Sequence, residues 1–219
     1  MTLNLYFHPF SSYCQKALIA FYENATPFEP RMLETGSAAS ADLARLWPLQ
    51  RFPVLEDRGR VVPEATIIIE YLAVHYPGPV RLIPSDLDAA IEVRLMDRFF
   101  DNYVMTPQGS IVIDSLRPQE KRDAFGVEQS RALLDKAYRW LNGHMAERTW
   151  AAGEAFSLAD CAAAPALLYA DWTHPIARKF SDLRAYRTRL LRRPSYARAL
   201  DEARPFRHLF PLGAPTDRD

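Results

Sequence analysis

The sequence predicts an α/β layer built on a four-stranded mixed sheet, followed by an all-helical second half, that is, an α/β plus all-α fold. Three observations carry that expectation. Before the linker, short segments follow in the order strand, helix, strand, helix, strand, strand, helix. After Pro84 the period-two signal disappears and apolar residues recur only at helical spacing. Between the halves, "PGPVRLIPS" is a proline-punctuated linker.

Each element has its own signal. Leu3, Leu5 and Phe7 alternate with Asn4 and Tyr6, which predicts a strand over residues 2–7. Ala17, Leu18, Ala20 and Phe21 mark a helix over residues 13–22, with Ser11 or Ser12 as its cap and Asn24 as its stop. Residues 27–33 read as a second strand and 40–47 as a short capped helix, the setting for a parallel crossover. "PVLED" and "RVV" flank Asp57, Arg58 and Gly59, a hairpin turn, and residues 64–76 form a helix closed by Pro77 and Gly78.

In the second half Ile91, Leu95, Phe99 and Tyr103, with Met96, Phe100 and Val104, give residues 86–105 a broad apolar helical face. A long helix is expected over residues 118–142, with Leu133, Leu134, Ala137, Trp140 and Leu141 inward and Gly143 at its end. Further helices fit residues 158–171, 182–192 and 194–203, the second of them carrying an arginine cluster read as a solvated face. The expected domains are 1–78 and 86–210, and the tail from Pro211 to Asp219 is too polar to be more than loosely attached.

Composition narrows the function. With 219 residues the chain can bury a core in two small domains. Its 27 basic and 27 acidic side chains set up no global field, which argues against nucleic acid or an acidic membrane surface as partner. Two cysteines, Cys14 and Cys161, and no leader-like opening point to a reducing, cytoplasmic setting. The longest apolar run, around residues 67–74, is broken by Glu70 and falls far short of the ~20 residues that cross a bilayer. The five histidines are scattered without a metal-ligand pattern. Eight glycines assemble neither GxGxxG nor GxxxxGK[ST], so no bound metal or nucleotide is expected.

The chemistry concentrates at "HPFSSYC", where two hydroxyls, a phenol and a thiol precede the first helix. A helix amino end carries unpaired N–H groups and partial positive charge, so it favours an anion or a thiolate. A hydroxyl hydrogen from Ser11 or Ser12 would add to that field and draw a bound thiol below its free pKa of ~8.5. Plain capping by Ser11 or Ser12 accounts for the serines equally well, and a small buried apolar role accounts for Cys14.

Taken together, "SSYC" at the first helix mouth, "RFPVLED" entering the hairpin, "PEATIIIEYL" on the next helix and "FSLADCAAAPAL" in the helical half resemble the cytosolic glutathione S-transferase superfamily. The resemblance spans residues 2 to about 208 and implies a thioredoxin-like amino-terminal domain, with glutathione as co-substrate. It makes Ser11 the first catalytic candidate, at the start of the family's SxxC-like turn, with Ser12 the alternative if the loop shifts by one. Cys14 matches the second, less exposed cysteine of the CxxC form. Serine at position 11 implies a thiol-activating transferase more than a thiol-exchange enzyme.

The resemblance further implies a cis Phe52–Pro53 bond, with the Phe52 backbone pairing the cysteinyl unit of glutathione in strand fashion. Gln50 and Arg51 stand where the family often places polar ligands. Glu64 and Ala65 match the family's Glu-Ser pair at the γ-glutamyl end. Ala65 departs from it, leaving backbone N–H groups and the Thr66 hydroxyl as partial substitutes. Without the resemblance, Glu64 is a first-turn acid stabilising a helix dipole. "SLAD" matches the family's capping box, Ser157 with Asp160, a folding element.

Tyr103, Thr106 and Trp172 are the implied lining of a pocket for a small hydrophobic electrophile, although an aromatic stripe on an amphipathic helix is more often simple core. A homodimer is also implied. The rival readings are a zeta-like glutathione-dependent cis-trans isomerase and a non-catalytic binding module of the same fold.

Overall fold

A computed structural model describes residues 3–217. Strand β1 (Leu3–Phe7) and helix α1 (Ser12–Glu23) open the chain, then β2 (Phe28–Met32), α2 (Ala38–Leu46), β3 (Val54–Asp57), β4 (Arg60–Pro63) and α3 (Ala65–His75). The expected strand start at Thr2 lies outside the described residues. The sheet order is β2-β1-β3-β4, with β1 parallel to β2 and antiparallel to β3, and β3 antiparallel to β4. The mixed four-stranded sheet is therefore as the pattern predicts.

Alternation divides the two faces of β1. Leu3, Leu5 and Phe7 belong to the main core with α1 and α3, whereas Tyr6 packs with Leu33, Leu43 and Val54 beneath α2. Helix α1 departs from an amphipathic pattern because it is covered on all sides: every residue from Cys14 to Phe21 is buried. It lies in the middle of the molecule, against Leu158–Thr173 and Pro194–Ala203 of the helical half as well as α3.

The linker is a fixed strap. Asn24, at the end of α1, accepts from Val80 N–H at 2.8 Å and donates to Val80 C=O at 3.0 Å. A Cβ at Gly78 would fall about 2.4 Å from the Asn24 side chain, so the strap passes where only glycine fits. Leu82 is buried, and its carbonyl accepts from Leu158 N–H at 2.9 Å.

The helical half runs α4 (Leu87–Phe99), a π-helical turn (Phe100–Met105), α5 (Thr106–Ser115), α6 (Ala124–Met145), α7 (Leu158–Thr173), α8 (Ser181–Leu191) and α9 (Pro194–Ala203), closed by a 3₁₀ segment (Arg204–Leu209). Helix α5 was not expected. It follows the π-helical turn without a break in helical backbone, Thr106 N–H donating to Asp101 C=O, and carries Pro107 directly after that turn. Of the two stripes on α4, Met96, Phe100 and Val104 are buried while Ile91, Leu95 and Tyr103 are exposed. Leu133 and Trp140 likewise face outward, contrary to the inward assignment: α6 packs through Leu134, Ala137, Tyr138, Leu141 and Met145. Gly143 lies inside α6.

Ser157 and Asp160 form the expected capping box on α7. The Asp160 carboxylate does more than a cap: it also accepts from Ala151 N–H at 2.9 Å and Tyr186 O–H at 2.6 Å, in full burial. Phe210 is in the core, and the following tail is mostly exposed. Among the described residues no helix is long and apolar enough to cross a membrane.

Candidate active site at the α1 and α3 amino ends

The turn between β1 and α1 is held from α7. Tyr169 O–H donates to Phe10 C=O at 2.7 Å, and Gln15 Nε2 donates to Pro9 C=O at 3.0 Å and to the Tyr169 oxygen at 3.1 Å. Ser11 is the N-cap of α1, its Oγ accepting from Cys14 N–H over a long 3.4 Å. That bond uses a lone pair and does not consume the hydroxyl proton. Ser12 is the first residue of the helix proper.

Cys14 is fully buried, and burial pushes its thiol up to about 12 against the weaker opposing bond from Ser11. It is an apolar packing residue, not a nucleophile. His8 Nδ1 accepts from Phe10 N–H at 3.2 Å, and burial lowers its pKa.

Beside Ser11 opens a cavity of about 460 Å³, lined by Ser11, Tyr13, Gln50, Arg51, Phe52, Pro53, Glu64, Ala65, Arg98, Asp101 and Asn102. Seven expected site residues thus meet at one place: Ser11, Gln50, Arg51, Phe52, Pro53, Glu64 and Ala65. Ser12 and Thr66 are not part of this lining, nor are Tyr103, Thr106 and Trp172. Tyr103 is half exposed beside Phe99, and the Thr106 hydroxyl donates to Asp101 C=O at 3.0 Å. Trp172 is buried against Phe10, Tyr169 and Phe210.

Backbone conformation shapes the cavity. The Phe52–Pro53 bond is cis, and among the described residues the Phe52 N–H and C=O make no hydrogen bond within the chain. Gln50 and Glu64 both adopt positive φ, 51° and 72°. A non-glycine residue held in the left-handed region costs of order 1–3 kcal/mol, and such strain clusters where a site needs a fixed geometry. Glu64 gives α3 no side-chain cap. The first backbone N–H groups of α3 are therefore open towards the cavity.

The lining also takes in Tyr13, the phenol of the helix mouth, and three residues that carried no sequence signal: Arg98, Asp101 and Asn102. The last two lie in the π-helical turn, and Arg98 just before it. Their anchor is Lys16 of α1, 1% exposed. Its ammonium meets Asp97 at 2.6 Å, Asp101 at 2.8 Å and Thr66 Oγ1 at 2.9 Å, one acceptor for each hydrogen. Arg98 bridges the same two carboxylates at 2.6 and 2.5 Å, its side chain half exposed at the cavity. Burial raises the Asp101 pKa, and the Lys16 ammonium opposes that rise. Burial likewise pushes the Tyr13 phenol up to about 12, with Asp101 adding to the effect, so it keeps its proton at neutral pH.

This network also redirects Thr66. Its hydroxyl accepts from Lys16 and from Arg98 and donates to Asp97 at 3.0 Å. With its proton and lone pairs occupied, it does not stand in for the hydroxyl absent at Ala65, contrary to expectation. What remains beside Ala65 is the open α3 backbone and the Arg98 guanidinium.

Residues 5–80 match the family model described as the glutathione S-transferase N-terminal domain, and residues 104–194 match the model of its C-terminal domain. The chain belongs to the glutathione S-transferase family. Glutathione S-transferase theta-1 of Bos taurus is 28% identical over 183 residues, 77% of this chain and 73% of that one. A stringent starvation protein A homolog of Coxiella burnetii is 27% identical and spans 92% of both chains. Among solved structures, a Methylobacterium radiotolerans glutathione S-transferase in complex with glutathione sulfonate superposes with a TM-score of 0.79 at 25% identity, covering 91% of this chain and 94% of that one. Here the α1 mouth and the cis-proline turn border one cavity, and Ala65 follows Glu64 on its wall at the amino end of α3.

Proposed function

We propose that this chain binds glutathione in the Ser11 cavity and ionises its sulfur there for attack on a small hydrophobic electrophile. The carrying observation is convergence: the Ser11 hydroxyl, the open amino ends of α1 and α3, and the unpaired Phe52 backbone all border one cavity. The Phe52 N–H and C=O suit the cysteinyl unit, as a short antiparallel ladder. The α3 N–H groups and Arg98 suit the γ-glutamyl carboxylate, and the Asp101 carboxylate suits its ammonium. The sulfur then lies at the α1 mouth. Its proton leaves to water, Ser11 keeps its own proton and donates a hydrogen bond, and the dipole stabilises the thiolate until the C–S bond forms, the electrophile releasing its leaving group with the bonding pair or opening a conjugated π bond.

Exposed Ile67 and Val74 on α3 and Ile91 and Leu95 on α4, two helices joined by the Arg94–Glu70 pair, support a second copy of the chain as partner. A maleylacetoacetate-type substrate assayed beside a chloronitrobenzene separates isomerase from conjugating activity.

One observation favours a second reading. The Coxiella relative aligns along nearly the whole chain and is not named a transferase, and Ala65 weakens the usual γ-glutamyl grip. Calorimetry with glutathione decides between the readings. Binding that supports conjugation, lost in turnover by Ser11→Ala, is the result expected of the enzyme. Absence of binding at millimolar glutathione is the result expected of a binding module.

A further inference from the structure

A second cavity, of about 640 Å³, lies wholly within the helical half between the end of α7, α8 and α9, and shares no residue with the Ser11 cavity. Five arginines border it: Arg178 from the loop before α8, Arg184, Arg187 and Arg192 from α8 and its carboxyl end, and Arg204 after α9. Helical spacing explains the sorting of the arginine-rich segment. Positions 184, 187, 188, 191 and 192 share one face and line the cavity. Arg189 and Arg193 leave by the other side, to Thr149 C=O and to Glu23. The cluster is thus not one solvated face.

Charge is unbalanced in this cavity although the chain as a whole is neutral. The carboxylates on its wall are Asp171, Asp201 and Asp217. Arg187 faces Asp171 at 3.2 Å and Arg204 faces Asp201 at 2.9 Å. Arg184 donates to Ile176 C=O at 2.9 Å. Among the described residues, Arg178, Arg184 and Arg192 have no carboxylate partner, and with Asp217 as the third carboxylate the lining keeps an excess of two positive charges.

We propose that this cavity is a binding site for a small soluble anion bearing two or more phosphoryl groups. Guanidinium groups present forked donors that match phosphoryl oxygens, and they reach the cavity here from separate chain segments. A singly charged anion would leave part of this excess unneutralised, whereas a ligand with two or more phosphoryl groups matches it and can accept from guanidinium groups of more than one segment. The volume lies in the range of small-molecule sites. Neutral overall charge and enclosure between helices favour a compact ligand over a polymer that needs a continuous basic track.

The test is calorimetric titration of the full chain with sodium tripolyphosphate, citrate and sulfate, at low and at high salt. Expected is saturable one-to-one binding of tripolyphosphate, weakened by salt and roughly tenfold or more weaker in Arg178→Gln/Arg192→Gln. Glutathione binding and the thermal melt should not change in that variant, because both side chains are exposed. No tripolyphosphate binding at millimolar concentration, or equal binding by the variant, overturns the proposal. Citrate binding as tightly as tripolyphosphate overturns the phosphoryl assignment.

Discussion

Replacing Lys16 by methionine removes a buried ammonium while keeping an unbranched side chain of similar length. Lys16 satisfies Asp97, Asp101 and Thr66 at once, and Asp97 is fully buried. Breaking a buried pair from one side costs about 3–5 kcal/mol, because the partner charge is left in the interior. Arg98 still bridges both carboxylates, which places the expectation near the lower end, about 3 kcal/mol. For a chain of this size that corresponds to a fall of roughly 6–12 °C in melting temperature.

The loss should depend on pH. Burial already raises the Asp101 pKa, and removing the opposing ammonium raises it further. A carboxyl raised in the folded state favours folding below its unfolded pKa, and that contribution is lost as pH rises through the folded value. The Lys16→Met deficit should therefore be smaller in mild acid than at neutral pH. Urea melts of Lys16→Met and of Lys16→Met/Asp101→Asn at two pH values make the measurement, with the double variant recovering part of the loss. A single variant within about 1 kcal/mol of the parent at neutral pH, or a double variant no better than the single, would refute the reasoning.

Two other perturbations follow from the same geometry. Arg98→Gln should raise the KM for glutathione roughly tenfold or more with little change in kcat, since a charge-assisted hydrogen bond is worth about 1.5–3 kcal/mol. Steady-state kinetics at varied glutathione reads the split, and an unchanged KM would remove Arg98 from recognition. Acid stability should hinge partly on Glu23, which joins α1 to α9. Burial pushes its pKa up, but hydrogen bonds from Arg193 and Ser195 more than offset this and leave it lowered from 4.5. The stabilisation it gives is present above that value and lost as pH falls through the lower folded one. Acid titration of Glu23→Gln, followed by circular dichroism, should show a shallower decline than the parent, and an identical decline would discount the pair.

The parts of this molecule legible in its sequence are those whose signals are local. The period of β1, the Asp57–Gly59 turn, the "SLAD" box and the helix mouth at Ser11 each declare themselves within a few residues. What escaped depends on tertiary context. Lys16 lies in a helix buried on every side, so no polar stripe marks it as anchored. The π-helical turn that brings Asp101 and Asn102 to the cavity has no composition of its own. Trp140 and Leu133 look like core by residue type, but their face of α6 is exposed, with Trp140 stacked on Phe99. Thr66 was a reasonable ligand by position until its hydroxyl proved to be spent on Lys16, Arg98 and Asp97.

Ionisation of a bound thiol by the α1 amino end and the Ser11 proton together leaves a spectroscopic trace. A pH titration of the ultraviolet thiolate absorbance of glutathione bound to the parent, Ser11→Ala and Ser12→Ala tests it most directly. A thiolate should form near neutrality in the parent and in Ser12→Ala, with the transition moved upward by about one unit or more in Ser11→Ala. Superimposable titrations for all three proteins, or a bound thiol that ionises no earlier than free glutathione, would contradict it.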